Sequence, residues 1–338
     1  MGEDPMSNTA DRDGYMENFG KIDLHLHLDG SLPAETILKI AGKDRIELPA
    51  DTAEGLRPYL TARIDCESLN EYLKCFELPL AVLQTAENLR TAAYDLGKAL
   101  DKRGLEYAEV RFAPQLHGEK GLTQTEAVQA ALAGFRQAEE ESRGGIGIRT
   151  ILCCMRGDRT HSANMETVRT AAEYLGKGVA AADLAGAEGL YPTRDFEEEF
   201  ALAGSLGVPF TIHAGEADGP ESIRTALKFG AVRIGHGVRA VEDEKLMEEL
   251  AERGVVLEMC PTSNLQTKAV KRISDYPLRE YLRRGIKATV NSDNMTVSNT
   301  WVGGEFGLLS REYALTEEEA RQLLKNAEEA VFRNCTVS

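Results

Sequence analysis

The sequence predicts an α/β fold: a parallel (β/α)8 TIM barrel with a helical insertion after the first strand that covers the barrel mouth. Three observations predict it. Eight short apolar runs recur along the chain, amphipathic helical patterns separate them, and glycines stop several of those helices just before the next run. Strands alternating with helices indicate βαβ units and a parallel sheet, and eight such units are the number that closes a barrel. The length of 338 residues suits one such domain.

The first run is KIDLHLHL (21–28). Read as a strand, it projects Asp23, His25 and His27 to one face and Leu24, Leu26 and Leu28 to the other. Taken alone, the two histidines fit either a metal site or the solvated face of an edge strand. The next runs are LEYAEVRFAP (105–114), RTILCCMR (149–156), VAAADLAG (179–186) and PFTIHAG (209–215). VRIGHGV (232–238), VVLEMCP (255–261) and KATVNSD (287–293) complete the eight. The helices PESIRTALKFG, DEKLMEELAERG and PLREYLRRG end at Gly230, Gly254 and Gly285, residues able to take the left-handed conformation that closes a helix. Residues 29–103 hold several helical segments. They leave the C-terminal end of the first strand and are expected to lie over the mouth. The polar, acidic residues 1–18 are expected to be a flexible N-terminal tail, and residues 19–338 a single domain.

Composition narrows the function. Net charge is −16 without a Lys/Arg cluster, which disfavours nucleic acid and anionic membranes as partners. No run of 18 apolar residues is present and the N-terminus has no apolar signal segment, so no membrane partner is expected. Six cysteines without paired C-x-x-C spacing indicate free thiols and a cytoplasmic location.

The barrel register gives the histidines their meaning, because active sites of this fold sit where strands end. His25 and His27 lie near the end of strand one. His213 and Glu216 end strand five, His236 ends strand six and Asp293 ends strand eight. Four of six histidines therefore fall on one rim. Three imidazoles and a carboxylate form a ligand set for zinc, with a water completing it. A fourth histidine and a nearby glutamate then offer proton transfer. His117 and His161 sit in loop-like stretches and are expected at the surface.

The segments DLHLHLDGSL, DLAGAE, IHAGE, GHGV, CPTSN and NSDN occur in the order and spacing of the adenosine deaminases, metal-dependent amidohydrolase barrels that the chain resembles from residue 21 to 335. The resemblance implies hydrolytic deamination of adenosine and 2′-deoxyadenosine to inosine and deoxyinosine, in purine metabolism. His25, His27, His213 and Asp293 would bind one zinc ion per chain. Glu216 would lend a proton to purine N1, and His236 would orient the zinc hydroxide and stabilise developing charge. Asp29 would bond the ribose 5′-hydroxyl, His27 would also border the substrate, and Gly186 would offer its N–H to purine N3. Leu69, Tyr72, Leu73 and Phe76 would wall the ribose side. Read singly, Asp29 is a turn residue, Gly186 a strand terminator, Glu216 a solvated rim residue, and the apolar set a core stripe. CPTSN is expected to play a supporting role.

Many members of that family carry two acids where this chain has Asp293-Asn294. The second acid must be protonated to donate to purine N7, whereas an Asn amide donates at every pH. The partner is thus expected to be a small purine nucleoside, with oligomeric state open. The alternative is a deaminase of adenine or a modified adenosine on the same scaffold. Relatives acting on the free base tend to have an acid one methylene longer at the position of Asp29, which favours the nucleoside.

Overall fold

The computed structural model describes residues 14–63 and 65–332. Among these residues eight strands occur: β1 (Ile22–His27), β2 (Tyr107–Phe112), β3 (Gly147–Met155), β4 (Val179–Ala185), β5 (Thr211–Ala214), β6 (Arg233–His236), β7 (Val256–Met259) and β8 (Lys287–Val290). Each lies inside one of the expected runs or within two residues of it. Helices α1 (Ala34–Asp44), α2 (Ala53–Leu60), α3 (Leu69–Tyr72), α4 (Glu77–Val82) and α5 (Ala86–Lys102) separate β1 from β2. Single helices follow β2, β3, β4, β5 and β6: α6 (Gln124–Glu140), α7 (His161–Tyr174), α8 (Glu197–Ser205), α9 (Pro220–Phe229) and α10 (Glu244–Arg253). α11 (Pro261–Gln266) and α12 (Leu278–Arg283) follow β7, and α13 (Val302–Tyr313) and α14 (Glu317–Ala330) follow β8.

All strand pairs are parallel, in the orders β1-β2-β3-β4 and β5-β6-β7-β8. Two seams join the halves. Ala182 N donates to Pro209 O at 3.0 Å between β4 and the start of β5. At the other seam Asp293 N donates to His25 O and His27 N donates to Asp293 O, both at 2.8 Å. The barrel closes through these bonds, and the second seam runs through three candidate ligands.

Local chemistry explains the helix limits. Thr123 caps α6 reciprocally with Glu126, and Thr316 caps α14 with Glu319. Gly230 and Gly254 close α9 and α10 in the left-handed region. Gly285 takes the same conformation directly after α12 and its capping residue Arg284.

One apolar core runs around the barrel between strands and helices. Leu26 and Leu28 belong to it, and Leu24 is fully buried as they are. His25 is fully buried too, so the edge-strand reading of β1 does not hold. Both faces of a barrel strand are covered, one by helices and the other by the barrel interior. Within the segment expected to cover the mouth, α5 behaves as an ordinary outer helix packed along α6. The tail expected over residues 1–18 lies outside the described residues up to residue 13. Met16 and Phe19 are buried in the core.

The α5–α6 contact depends on small residues. A Cβ on Gly134 would sit 2.3 Å from Arg90 O and 2.8 Å from Ala93 Cβ. Gly134→Ala is therefore expected to push the helices apart and destabilise the fold by about 1–3 kcal/mol, the usual cost of overpacking. Chemical denaturation measures it, and an unchanged midpoint would contradict the packing account.

Candidate active site

The rim at the C-terminal ends of the strands encloses a cavity of about 260 Å³, just below the usual range for small-molecule sites. Every sequence-predicted site residue lines it except His25, which lies beneath its floor. Leu69, Tyr72, Leu73 and Phe76, from α3 and the turn after it, form one wall.

On the floor, His27 Nε2 lies 3.2 Å from His213 Nε2 and 3.4 Å from Asp293 Oδ1. His25 Nε2 is also 3.4 Å from Asp293 Oδ1 and has no hydrogen-bond partner. One atom from each of His25, His213, His236 and Asp293 falls within 4.8 Å of the others. Asp293 and His236 have φ of +59° and +63°. Non-glycine residues take such values at a cost of about 1–3 kcal/mol, and such strain concentrates at functional sites.

The opposite edges of these rings decide what each can do. His25 Nδ1 lies 2.8 Å from Glu258 Oε2, and His213 Nδ1 lies 2.9 Å from Asp183 Oδ2. A carboxylate accepts only, so each Nδ1 carries the proton and each Nε2 is left with its lone pair in the neutral ring. His236 is arranged the other way. The Tyr276 hydroxyl donates to Asn264 Oδ1, which turns Asn264 Nδ2 onto His236 Nδ1 at 3.0 Å. His236 Nε2 then bears the hydrogen and faces Glu216 Oε2 at 3.5 Å. Lone pairs on His25 and His213 converge with His27 and the Asp293 carboxylate, a set that could hold a divalent cation; the N–H of His236 does not suit it as a ligand.

The electrostatics agree. Burial pushes His27, His213 and His236 towards the neutral form, although Asp183 opposes it at His213. Burial raises Asp293, but His25, His236 and His27 outweigh it and hold the carboxyl well below its usual range. At His25, burial and Arg111 push down, and Asp293 and Glu258 push up more strongly, so a bound cation would displace a proton there. Glu216 is raised well above the carboxylate range by burial, then by Asp293 and Glu188, against one hydrogen bond from Thr267. That shift favours its protonated form.

Asp29 is buried at the start of a short turn, and burial pushes its carboxyl up to about 6. Gly186 has φ +109°, a conformation strained for any side chain. Asn294 Nδ2 donates to the Tyr72 hydroxyl at 3.0 Å, leaving its second hydrogen for other use.

Sequence reasoning missed the layer below the floor. Arg111 bridges the two histidine supports, reaching Asp183 Oδ2 at 3.0 Å and Glu258 Oε2 at 2.9 Å. Arg233 pairs with Glu258 and Glu109, both at 2.6 Å. Glu109 and Arg111 alternate with apolar residues in β2, which imitates a half-exposed strand; in a closed barrel that alternating face is the interior. Within CPTSN, Asn264 orients His236, and Thr267 just beyond it donates to Glu216 Oε1 at 3.0 Å. The expectation for His117 is corrected. It is buried in the turn after β2, with Nδ1 2.9 Å from Leu83 O, and burial pushes the imidazole down to about 4. α6 and α7 pack on that turn and Gln84 bonds to Leu116 O within it, which its polar sequence does not reveal. His161 is exposed beside Glu198 and Glu199.

Comparison with known proteins gives a consistent result. A family model described as adenosine deaminase matches residues 20–337. An adenosine deaminase of Haemophilus ducreyi is 53 % identical over 320 residues, covering 94 % of this chain and 93 % of that protein. One of Enterococcus faecalis is 42 % identical over 312 residues, covering 92 % and 91 %. Among solved structures, an adenine deaminase from Arthrobacter aurescens superposes with a TM-score of 0.81 at 28 % identity, covering 92 % of this chain and 93 % of that one.

The support of His213 by Asp183 is open to direct test. Asp183→Asn keeps the shape and removes the charge. Loss of such outer support typically costs ~10–100-fold in metal affinity. Competition against a chelator is expected to show a loss in that range, and undiminished affinity would mean that His213 is held by other means.

Proposed function

The chain belongs to the adenosine deaminase family, and from that premise we propose how its own residues carry out the hydrolytic deamination of adenosine and 2′-deoxyadenosine. His25, His27, His213 and Asp293 hold one divalent cation, zinc by the chemistry of three imidazoles and a carboxylate. When bound, it supplies the acidification of water that makes hydrolysis possible at neutral pH.

The remaining steps belong to the protein. Glu216, held protonated by its buried setting, donates to purine N1 and makes C6 electrophilic. Addition of water oxygen at C6 and departure of the amino group as ammonia leave the inosine ring. His236, with Nε2–H turned into the cavity by Asn264, orients the attacking water and stabilises the charge that develops as it adds. Asp29 accepts from the ribose 5′-hydroxyl, Gly186 brings its backbone N–H to purine N3, and Asn294 faces N7. The apolar wall from Leu69 to Phe76 excludes water from the ribose side. No helix among the described residues is long and apolar enough to cross a membrane, and the described cysteines are free thiols. The free thiols fit the reading of a cytoplasmic enzyme.

The observation that carries this reading is the convergence of the His25, His27 and His213 imidazoles and the Asp293 carboxylate beside a buried glutamic acid whose carboxyl is raised by that burial. An ultraviolet assay against adenosine, 2′-deoxyadenosine, adenine and AMP, with metal analysis of the same sample, tests it. Turnover of both nucleosides with one zinc per chain is expected. Turnover of adenine alone would overturn the nucleoside assignment.

Glu216→Gln keeps size and polarity but has no acidic proton. Its kcat is expected to fall at least ~10²-fold with metal retained, in line with the usual contribution of a general acid. A variant with unimpaired kcat would place the proton source elsewhere.

Asp29→Ala removes a charge-assisted bond worth about 1.5–3 kcal/mol. kcat/KM for adenosine should drop ~10–150-fold, and far less for 5′-deoxyadenosine, which lacks the hydroxyl. Equal losses on both substrates would make Asp29 a turn residue only.

A further inference from the structure

Glu188 follows β4 in the DLAGAE segment and is fully enclosed; apart from its charge, which helps to raise Glu216, it has no part in the chemistry above. Its carboxylate accepts five hydrogen bonds. Oε1 takes Gly215 N at 2.7 Å and Ser222 Oγ at 2.5 Å. Oε2 takes Glu216 N at 3.0 Å, Ala217 N at 2.7 Å and Asp218 N at 3.0 Å. Four successive N–H groups turned towards one point form an anion-binding nest, and here the anion is a side chain of the same protein. Gly215 allows the turn with φ +73°, and a Cβ there would meet Ile223 Cδ1 at 2.4 Å.

We propose that Glu188 is a positioning residue for the reaction: by clamping residues 215–218 it fixes the backbone from which Glu216 reaches the substrate. The proposal rests on the reading of Glu216 as the proton donor. The Glu216 side chain accepts one hydrogen bond within the protein, from Thr267, so its aim depends on where its backbone is held. The clamp is tied to the metal side as well. Ser222 Oγ lies 2.7 Å from Thr193 Oγ1, and Arg156 NH2 donates to Thr193 Oγ1 at 2.9 Å and to His213 O at 2.6 Å. The acid and one candidate ligand therefore share a rigid frame. A glutamine cannot replace Glu188, because its NH2 group would face N–H donors while one oxygen served the rest.

Glu188→Gln is expected to lower kcat for adenosine roughly 10–100-fold, the scale of a small misplacement of a catalytic group. KM should stay within about threefold, since Asp29 is not touched, and metal content should be unchanged, since Arg156 still holds His213 O and Asp183 its ring. The decisive comparison repeats the substitution in a Glu216→Gln background. Residues that act as a unit are strongly non-additive, so the second change should cost less than about threefold there. Glu188→Asp, which keeps the charge on a shorter stem, should recover part of the lost kcat. If Glu188→Gln fails to fold, Glu188→Asp carries the comparison, and its loss must likewise vanish without Glu216. A folded Glu188→Gln protein with undiminished kcat would overturn the proposal. So would an equal loss in both backgrounds, which would make Glu188 merely structural. If Glu216→Gln itself remains fully active, the reading of Glu216 fails and this proposal fails with it; a normal loss there with an unaffected Glu188→Gln condemns the proposal alone.

Discussion

The seam between β1 and the segment after β8 is the constraint on which the rest depends. A barrel must join its last strand to its first, and here the joining residues are those of the candidate site. Asp293 receives from His27 N and donates to His25 O. Asn291 Oδ1 takes Leu24 N at 3.0 Å, and the Ser292 hydroxyl donates to the Asp23 carboxylate. Closing the barrel therefore sets the spacing of three candidate ligands before any ion arrives. The left-handed backbone of Asp293 is the strain this geometry carries, and the paired neighbours hold it in place.

Below the seam, the interior is built from charges. Arg111, Arg233, Glu109, Glu258 and Asp183 are buried, and each is paired. Removing one member of such a buried set strands its partner, at about 3–5 kcal/mol. An apolar interior could stabilise a barrel equally well, but it could not choose histidine tautomers. Glu258 and Asp183 hold the protons of His25 and His213 on the side away from the cavity, and Arg111 holds both carboxylates. The charged layer thus serves the site while it fills the barrel.

Much of this was legible in the sequence. The histidines, Asp293 and Glu216 stand at the ends of runs whose order defines the rim, and the glycine stops give the register. The supports were not legible, for a specific reason. Glu109, Arg111, Asp183, Arg233 and Glu258 lie within the strands and imitate a solvated face, because alternation reports that two faces differ and not which one meets water. His117 was misread for a different reason: its loop-like stretch is covered by α6 and α7 and bonded to Leu83, none of which its local sequence reports.

The sequence by itself determined the barrel, the residues on its rim and the kinds of ligand they offer. Those follow from periodicity, turn chemistry and the order of strand ends, which are local properties of a chain. Only the tertiary structure decided which nitrogen of each histidine faces the centre, and that His236 presents a hydrogen where His25 and His213 present lone pairs. It alone decided that burial raises the Glu216 carboxyl and that Glu188 grips the loop bearing it. Each of these depends on a partner from another strand or helix and on the loss of water around it, and neither exists until the chain has folded.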